Sequence, residues 1–313
     1  MRLVFLGTPE FAVPSLKACL GAGHEIAAVY TQPDRPKGRG QEVAASPVKQ
    51  AAQELGLPVR QPERLRSPEV ADELAAWGAE AMVVVGYGQI IPPSILALPP
   101  LGIINVHASL LPKYRGAAPI QRAIAAGEQV TGVTTMRIDA GLDTGDILLK
   151  AAVEIEPDDT AVTLAPRLAE RGAALLAETL ERLAAGDLVP QPQDPARATY
   201  APVLRKEEGL IDWTLPARTI YNRFRGFQPW PGCFTTFRDR TLHILGCRPS
   251  DEVLIGQPGS AVARRKRLFV ACGHMTTLEV TELQLEGRRR ARAADFLNGQ
   301  RISENEVLGV ARP

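Results

Sequence analysis

The chain has 313 residues, of which 45% are hydrophobic and 23% are charged. This composition is close to the globular average and excludes a chain that is disordered throughout. The formal net charge of +1 gives no indication of a nucleic-acid partner by itself. The charge is unevenly distributed, however: residues 206–313 carry 17 Lys and Arg against 12 Asp and Glu, whereas residues 1–205 carry 19 against 23. The basic C-terminal part predicts an anionic partner there.

The cysteines and the N-terminus predict a cytoplasmic protein. The four cysteines are widely spaced and include no Cys-x-x-Cys pair, so we expect buried residues in a reducing compartment and no bound metal. The apolar run within Met1–Gly7 is too short for a signal peptide, and no stretch reaches the length of a membrane span. We therefore expect no membrane partner.

Short apolar runs alternate with helical patterns in the first half of the chain. The helical patterns lie at residues 14–20, 47–55 and 67–77, whereas Gln32–Gln41 is so rich in Pro, Gly and Arg that we predict no regular structure for it. The apolar runs are typical of buried parallel strands; they are Leu3–Leu6, Ile26–Tyr30, Met82–Val85 and Ile103–Val106.

Two further strands, at residues 133–138 and 147–153, precede a helix that ends at Ala185. Leucines recur along this helix at spacings of three and four, and Pro166 predicts that it begins near Thr163, with the proline in its first turn. The alternation of strands and helices predicts an α/β fold, with a Rossmann-like domain over residues 1–188.

The pattern changes after a Pro-rich stretch at residues 189–206, which we predict to be a semi-rigid linker. A short helix near Thr219–Gly226 is followed by short strand-like runs that Gly and Pro separate. Strands at this spacing predict a small OB-like β-barrel over residues 207–313.

The tripeptide Asn105-Val106-His107 ends one of the predicted strands. Residues i and i+2 of a strand share a face, so Asn105 and His107 project together at the carboxyl edge of the sheet, where such sheets bind ligands. The first strand is followed by Gly7-Thr8-Pro9 rather than by G-x-G-x-x-G, which disfavours a dinucleotide.

Asp143 lies in a Gly-rich turn between two predicted strands, from which its carboxylate can return to the same edge. An Asx-turn is the structural alternative for this residue. Asn, His and Asp without a Ser or Cys nucleophile suit direct attack by an external amine on an activated acyl group. Asn105 would donate to the developing oxyanion, and His107 would donate as well or relay a proton. Asp143 would favour the imidazolium and fix its tautomer.

Longer segments around these residues resemble one family. Asn105–Gln121 and Leu142-Asp143-Thr144-Gly145 are similar to the signature sequences of the methionyl-tRNA formyltransferases. Supporting matches are Gly7-Thr8-Pro9, Pro33–Gly40 and Trp230-Pro231-Gly232, and the resemblance extends over essentially the whole chain.

The resemblance implies transfer of a formyl group from 10-formyltetrahydrofolate, a co-substrate, to the amino group of initiator methionyl-tRNA. It assigns Asn105, His107 and Asp143 as the catalytic set. It also implies folate-binding segments, and these are Ser109, Leu110, Leu111 and Pro112 together with Val85, Gly86, Tyr87, Gly88 and Gln89.

Basic residues are predicted to bind the tRNA through its phosphates. They occur in the loop after the second strand, at the end of the linker and in the predicted barrel; they are Arg35, Lys37, Arg39, Lys206, Arg264, Arg265, Lys266 and Arg267. A solvated surface loop is the alternative for the first group. We expect the chain to act as a monomer with tRNA and tetrahydrofolate as its partners.

Three other functions fit parts of the sequence. A formyltransferase for an amino sugar nucleotide would share the Asn, His and Asp set, but would not need the basic loop. A hydrolase that releases formate from the same folate would not need a basic domain. A non-enzymatic RNA-binding module would not need an intact catalytic set.

Overall fold

The computed structural model describes residues 1–37, 42–303 and 306–309. Its contacts divide the chain into two units. The N-terminal unit comprises Met1–Pro119, Val130–Glu154 and Leu164–Pro202. The C-terminal unit comprises Ile120–Gln129, Ile155–Thr163 and Val203–Pro313.

The strands of the N-terminal unit are β1 (Arg2–Gly7), β2 (Glu25–Tyr30), β3 (Arg35–Lys37), β4 (Glu42–Ala44), β5 (Val59–Arg60), β6 (Ala81–Val85), β7 (Ile103–His107), β8 (Val130–Arg137) and β9 (Ile147–Glu154). Its main sheet has the strand order β5-β2-β1-β6-β7-β8-β9, and β3 pairs with β4 in a separate ribbon. The first five strands in this order run parallel, whereas β8 and β9 are antiparallel to their neighbours. The helices of the same stretch of chain are α1 (Val13–Gly21), α2 (Pro47–Glu54), α3 (Pro68–Ala76), α4 (Pro93–Leu96), α5 (Pro119–Ala126) and α6 (Ala161–Ala185), of which α5 lies in the C-terminal unit from Ile120 onwards.

Helices cover both faces of this sheet. Leu3 and Phe5 of β1 belong to one hydrophobic core, which includes residues of α1, α2 and α6, and Val4 and Leu6 belong to another, which includes residues of α3 and α4. Successive side chains of a strand point to opposite faces, so a strand buried on both sides must be apolar throughout. The prediction of a Rossmann-like α/β domain is confirmed.

Two local predictions were wrong. Arg35–Lys37 pairs with Glu42–Ala44 in a short antiparallel ribbon, although Gln32–Gln41 was expected to lack regular structure. Proline is tolerated in an edge strand because its missing N–H need not face a partner. Helix α6 begins at Ala161, so Pro166 lies inside it rather than in its first turn.

The C-terminal unit includes α7 (Ala217–Gly226), β10 (Cys233–Phe237), β11 (Arg240–Ser250), β12 (Ala261–Arg264), β13 (Arg267–Ala271), β14 (Thr277–Leu285), β15 (Ala291–Arg292) and α8 (Ala293–Gly299). Its strands form an antiparallel sheet of order β10-β11-β14-β13-β12, with β15 beside β14. The prediction of a second, β-rich domain after the α/β domain is confirmed.

Helix α7 contacts the segment that connects β9 to α6, which lies within the C-terminal unit. The buried guanidinium of Arg225 donates to the carbonyl of Asp159 over 2.8 Å, and the hydroxyl of Tyr221 donates to Asp158 over 2.8 Å. Residues 155–163 therefore belong to this unit. The division into residues 1–188, 189–206 and 207–313 stays a prediction. Among the described residues, no helix is long and apolar enough to cross a membrane.

Candidate active site

Strand β7 presents two polar side chains at its carboxyl end. Asn105 is 9% exposed and His107 is 6% exposed, and they lie opposite Met136 and Thr134 of β8. Both follow from the two-residue period of the strand, which places their side chains on one face. A buried amide and a buried imidazole at this edge need polar partners.

The two ring nitrogens of His107 have different surroundings. Nε2 lies 2.9 Å from the carbonyl oxygen of Tyr114, which can only accept, so this nitrogen donates. Nδ1 lies 3.7 Å from Oδ2 of Asp143, a separation too long for a direct hydrogen bond. Nδ1 is thus the nitrogen left for a reacting atom, beside a carboxylate.

Asp143 is held at this distance by its turn. Its φ is +51°, in the left-handed region that Asp tolerates better than most residues. The N–H of Gly116 donates to Oδ2 over 2.8 Å, and the side-chain amide of Gln193 donates to the backbone carbonyl of Asp143 over 2.9 Å. The structure therefore brings all three predicted catalytic side chains to one edge of the sheet.

The loop after β7 is attached to strand β8. The carbonyl of Ser109 accepts from Oγ1 of Thr134 over 2.7 Å, and the N–H of Leu111 donates to the same Oγ1 over 3.1 Å. Ser109 and Leu111 are buried, so of the residues predicted to border the folate, Leu110 and Pro112 offer the more accessible side chains.

Lys150 supports the same loop from β9. Its ammonium donates to the carbonyl of Leu111 over 2.6 Å. Burial, and to a smaller extent the charge of Arg197, lower the pKa of Lys150 below its usual value. Neither Thr134 nor Lys150 was singled out from the sequence, and because β8 also contains Thr131 and Thr135, no local signal distinguishes Thr134.

The segment Val85–Gln89 leaves the end of β6 with its backbone oriented by two side chains. The carbonyl of Tyr87 accepts from Oγ1 of Thr8 over 3.0 Å and from Nε2 of Gln32 over 3.1 Å. Gly86 and Gly88 have φ values of +57° and +87°, which glycine adopts without strain. Val85 and Tyr87 are buried, so this segment offers mainly backbone to a ligand.

A cavity of about 670 Å³ borders Gly86, Tyr87 and Gly88. Its other walls come from Thr8–Glu10, Gln32, Pro33, Arg35 and residues 44–47. A volume of this size is typical of sites for small molecules and substantial parts of substrates. The predicted catalytic residues are not among the described residues that line it.

The predicted tRNA-binding residues differ in their surroundings. Arg35 and Lys206 are exposed, and for Lys37 the structure describes the backbone of β3 only. Arg39 lies outside the described residues. Arg265 and Lys266 are exposed at the turn between β12 and β13.

Two arginines of the same basic run are paired with carboxylates. Arg264 lies 2.9 Å from Glu252, and Arg267 lies 2.7 Å from Glu279, whose side chain is 6% exposed. A buried carboxylate needs a cation, so Arg267 has a structural role whether or not it also contacts a phosphate.

Within 1–37, 42–303 and 306–309, no group of His, Cys, Asp and Glu side chains is arranged to hold a metal ion. The four cysteines are free and buried, and burial raises the pKa of Cys19, Cys233 and Cys272 to about 12. Thiols with such pKa values are poor nucleophiles and ligands.

Two family models match the chain. Residues 1–180 match the model described as formyl transferase, and residues 203–301 match the model of the formyl transferase C-terminal domain.

Several proteins resemble the chain over its length. The methionyl-tRNA formyltransferase of Solibacter usitatus is 62% identical over 309 residues, with 99% of each chain covered. That of Koribacter versatilis is 56% identical over 310 residues, again with 99% of each chain covered. A solved structure of an N-formyltransferase from Helicobacter canadensis, in complex with folinic acid and dTDP-3-aminofucose, is 18% identical, with a TM-score of 0.65 over 90% of this chain and 98% of that one. This last likeness concerns the fold alone.

Proposed function

Because the chain belongs to the methionyl-tRNA formyltransferase family, it is an enzyme that transfers the formyl group of 10-formyltetrahydrofolate to the amino group of methionyl-tRNA, and we propose that Asn105, His107 and Asp143 carry out this transfer. The single observation that carries the proposal is that the imidazole of His107 lies 3.7 Å from the carboxylate of Asp143 at the end of β7, the strand on which Asn105 shares a face with His107. The product, N-formylmethionyl-tRNA, serves the initiation of translation.

Asn105 and His107 stabilise the negative charge that develops in the reaction. The neutral amine attacks the formyl carbon, and the formyl oxygen becomes an oxyanion. The side-chain amide of Asn105 and Nδ1 of His107, when protonated, donate to this oxygen. Both groups are nearly buried, where hydrogen bonds to a charge are stronger than in water. One such donor is typically worth about 3–4 kcal/mol, or about 10²–10³ in rate.

The carbonyl of Tyr114 fixes the imidazole of His107 through one ring nitrogen, and Asp143 faces the other nitrogen. The carbonyl of Tyr114 accepts from Nε2, so a second proton on the ring must sit on Nδ1, facing the carboxylate. The 3.7 Å gap between Nδ1 and Oδ2 leaves each atom able to bond a substrate atom or a water. Asp143 accepts, through water, the proton that the attacking amine loses, and this proton passes to the nitrogen of tetrahydrofolate as the C–N bond to formyl breaks.

The folate-binding proposal rests on two segments at the same edge of the sheet. Val85–Gln89 offers backbone groups, and Ser109–Pro112 is held rigidly by Thr134 and Lys150. Tetrahydrofolates carry a pterin whose edge matches backbone donors and acceptors, and the positive φ values of Gly86 and Gly88 orient these groups without side chains. The adjoining cavity supports access of a substrate to this segment.

The finer substrate that we propose is initiator methionyl-tRNA, bound through its phosphates. Arg35, at the rim of the cavity, and the exposed Arg265, Lys266 and Lys206 supply charge for this contact, together with Lys37 and Arg39 of the basic loop. Arg264 and Arg267 are the weaker candidates because carboxylates already pair with them.

We also propose that the chain acts as a monomer in the cytoplasm. One chain carries both the site at β7 and the basic C-terminal unit, so a second copy is not needed to complete the site. Methionyl-tRNA is made and used in the cytoplasm. Light scattering of the purified protein during turnover would show a mass near 33.8 kDa, and a stable dimer would reject this part of the proposal.

The function is tested by formylation of charged tRNA with labelled 10-formyltetrahydrofolate. Wild-type protein is expected to formylate initiator methionyl-tRNA and to discriminate against elongator methionyl-tRNA. Asn105→Ala, His107→Ala and Asp143→Ala are each expected to lower kcat by at least about 10² while tRNA binding changes little. Wild-type turnover in any of the three would reject its assigned role, and transfer to an amino sugar nucleotide instead of tRNA would reject the substrate.

A further inference from the structure

Gln193 lies in the predicted linker, yet its side chain connects the two loops that meet at Asp143. Its amide nitrogen donates to the carbonyl of Asp143 over 2.9 Å and to the carbonyl of Gly145 over 2.7 Å. Its amide oxygen accepts from Nε of Arg115 over 3.1 Å and from Nη2 of Arg115 over 2.7 Å. One side chain therefore satisfies two carbonyls of the turn and one guanidinium of the other loop.

Arg115 belongs to the loop that also contacts Asp143, because the N–H of the next residue, Gly116, donates to the carboxylate of Asp143 over 2.8 Å. Arg115 is 5% exposed, and its backbone pairs with Thr199 and Ala201 of the segment that carries Gln193. A buried guanidinium without an acceptor is costly. The acceptor on Gln193 thus fixes the loop on which Gly116 lies.

The turn that carries Asp143 depends on the amide nitrogen of Gln193 as a hydrogen-bond donor. Asp143 has a φ of +51°, and such backbone persists only where its surroundings hold it. The carbonyl of Asp143 receives one of the two bonds from Gln193, directly at the residue whose carboxylate faces His107. Among side chains of this length, an amide offers both a double donor and an acceptor, whereas a carboxylate offers acceptors alone.

We propose that Gln193 is a positioning residue for the formyl transfer: it holds the turn of Asp143 against the loop of Arg115, and so keeps the carboxylate of Asp143 beside Nδ1 of His107. This inference rests on the roles proposed above for His107 and Asp143. It assigns a function in the reaction to a segment that the sequence indicates only as a linker.

Gln193→Glu distinguishes the acceptor role of the amide oxygen from the donor role of the amide nitrogen. It keeps acceptors for Arg115, but it loses both donors and brings a carboxylate against the carbonyls of Asp143 and Gly145. If Gln193 serves only as a hydrogen-bond acceptor for Arg115, this variant should be fully active. If Gln193 positions Asp143, kcat should fall by about 10- to 100-fold while the KM for tRNA and for folate changes less than about twofold, because small misplacements of reacting groups cost this much. Gln193→Met removes both the donor and the acceptor, and its kcat should fall by at least as much.

Gln191→Glu is the matched control, because it places the same charge in the same segment on an exposed side chain. It should retain wild-type kcat and thermal stability. If wild type and Gln191→Glu do not formylate methionyl-tRNA, the proposed function fails, and this result is distinct from a failure of the positioning role.

Hydrogen exchange tests the positioning role without any turnover. The N–H of Gly116 is bonded to the carboxylate of Asp143, so its exchange rate reports whether that carboxylate stays in place. In Gln193→Glu it should exchange at least about tenfold faster, while amides of β6 such as that of Val83 keep their protection. Unchanged kcat together with unchanged protection of Gly116 in Gln193→Glu would overturn the proposal.

Discussion

Arg267 of β13 clamps the carboxylate of Glu279 on the neighbouring strand β14 through two hydrogen bonds of 2.7 Å each. Arg248 donates to the same carboxylate from the other side over 2.8 Å. Glu279 is 5% exposed, so the pair of guanidiniums replaces the water that an ionised carboxylate otherwise requires. A residue of the predicted tRNA-binding run therefore serves first to hold two strands of the C-terminal unit together.

Glu279→Gln should destabilise the protein in a pH-dependent way. The hydrogen bonds from Arg267, followed by those from Arg248, lower the pKa of Glu279 from an ordinary 4.5 to about 2. A lowered carboxyl pKa contributes stability that is fully present above the ordinary value and is lost as the pH falls from 4.5 towards 2. Allowing for solvent screening of the two exposed arginines, we expect a loss of about 2 kcal/mol at pH 7. Urea unfolding at pH 7 and at pH 3 measures it, and an equal loss at both values would contradict the ionic origin.

Arg267→Ala and Lys266→Ala should have opposite consequences, although the residues are adjacent. Arg267→Ala leaves Glu279 with one cation and should lower the Tm, whereas Lys266→Ala removes an exposed turn residue and should leave the Tm unchanged. Lys266→Ala should instead raise the KM for tRNA severalfold with kcat unchanged. Melting curves of both variants measure the predicted change in Tm, and steady-state kinetics measure the predicted change in the KM for tRNA. Should Lys266→Ala leave the KM for tRNA untouched, this turn would not contact the substrate.

Formylation should weaken steeply as the salt concentration rises. Each phosphate that a Lys or Arg neutralises releases counterions, and this release is less favourable at high salt. The logarithm of kcat/KM for tRNA should fall linearly with the logarithm of the salt concentration, and Lys266→Ala should reduce the slope by about one unit or less. A rate that does not depend on salt would contradict an electrostatic contact between the enzyme and the tRNA.

Gly145→Ala should inactivate the enzyme with little effect on overall folding. A Cβ at this position would collide with the backbone carbonyl of Arg137, so the turn that carries Asp143 would have to move. The expected result is a decrease in kcat of about 10² or more with a retained sheet core, measured by formylation and far-UV circular dichroism. Gly186→Ala is a useful control, because a Cβ there meets no atom within 4 Å, although its φ of +72° makes it a mildly strained change.

The part of the site that the sequence allowed us to predict depends on local periodicity. Asn105 and His107 had to share a face because a strand repeats every two residues, and the leucines of α6 had to face the core because a helix repeats every 3.6. Both arguments require only the secondary structure type, which continuous apolar runs and leucine spacing indicate clearly.

The parts that were missed depend on contacts between distant residues. Gln193 is 50 residues from Asp143 and 78 from Arg115, and one of two glutamines in a Pro-rich stretch has no local feature that reveals these bonds. The pairing of Arg267 with Glu279 likewise appears only when β13 lies beside β14. A run of Lys and Arg residues indicates a positively charged surface, but it does not show which of these residues pair with carboxylates of neighbouring strands.

The assignment of residues 120–129 and 155–163 to the C-terminal unit has a consequence for protein engineering. A chimera made by joining two relatives at the linker would combine the α7 of one parent with the partner segment of the other. Arg225 and Tyr221 of one parent would then have to contact residues 158 and 159 of the other parent. The buried guanidinium of Arg225 would tolerate a change in the position of its acceptor poorly. Grafts that transfer tRNA selectivity between relatives should therefore carry these two internal segments together with all residues from Val203 onwards.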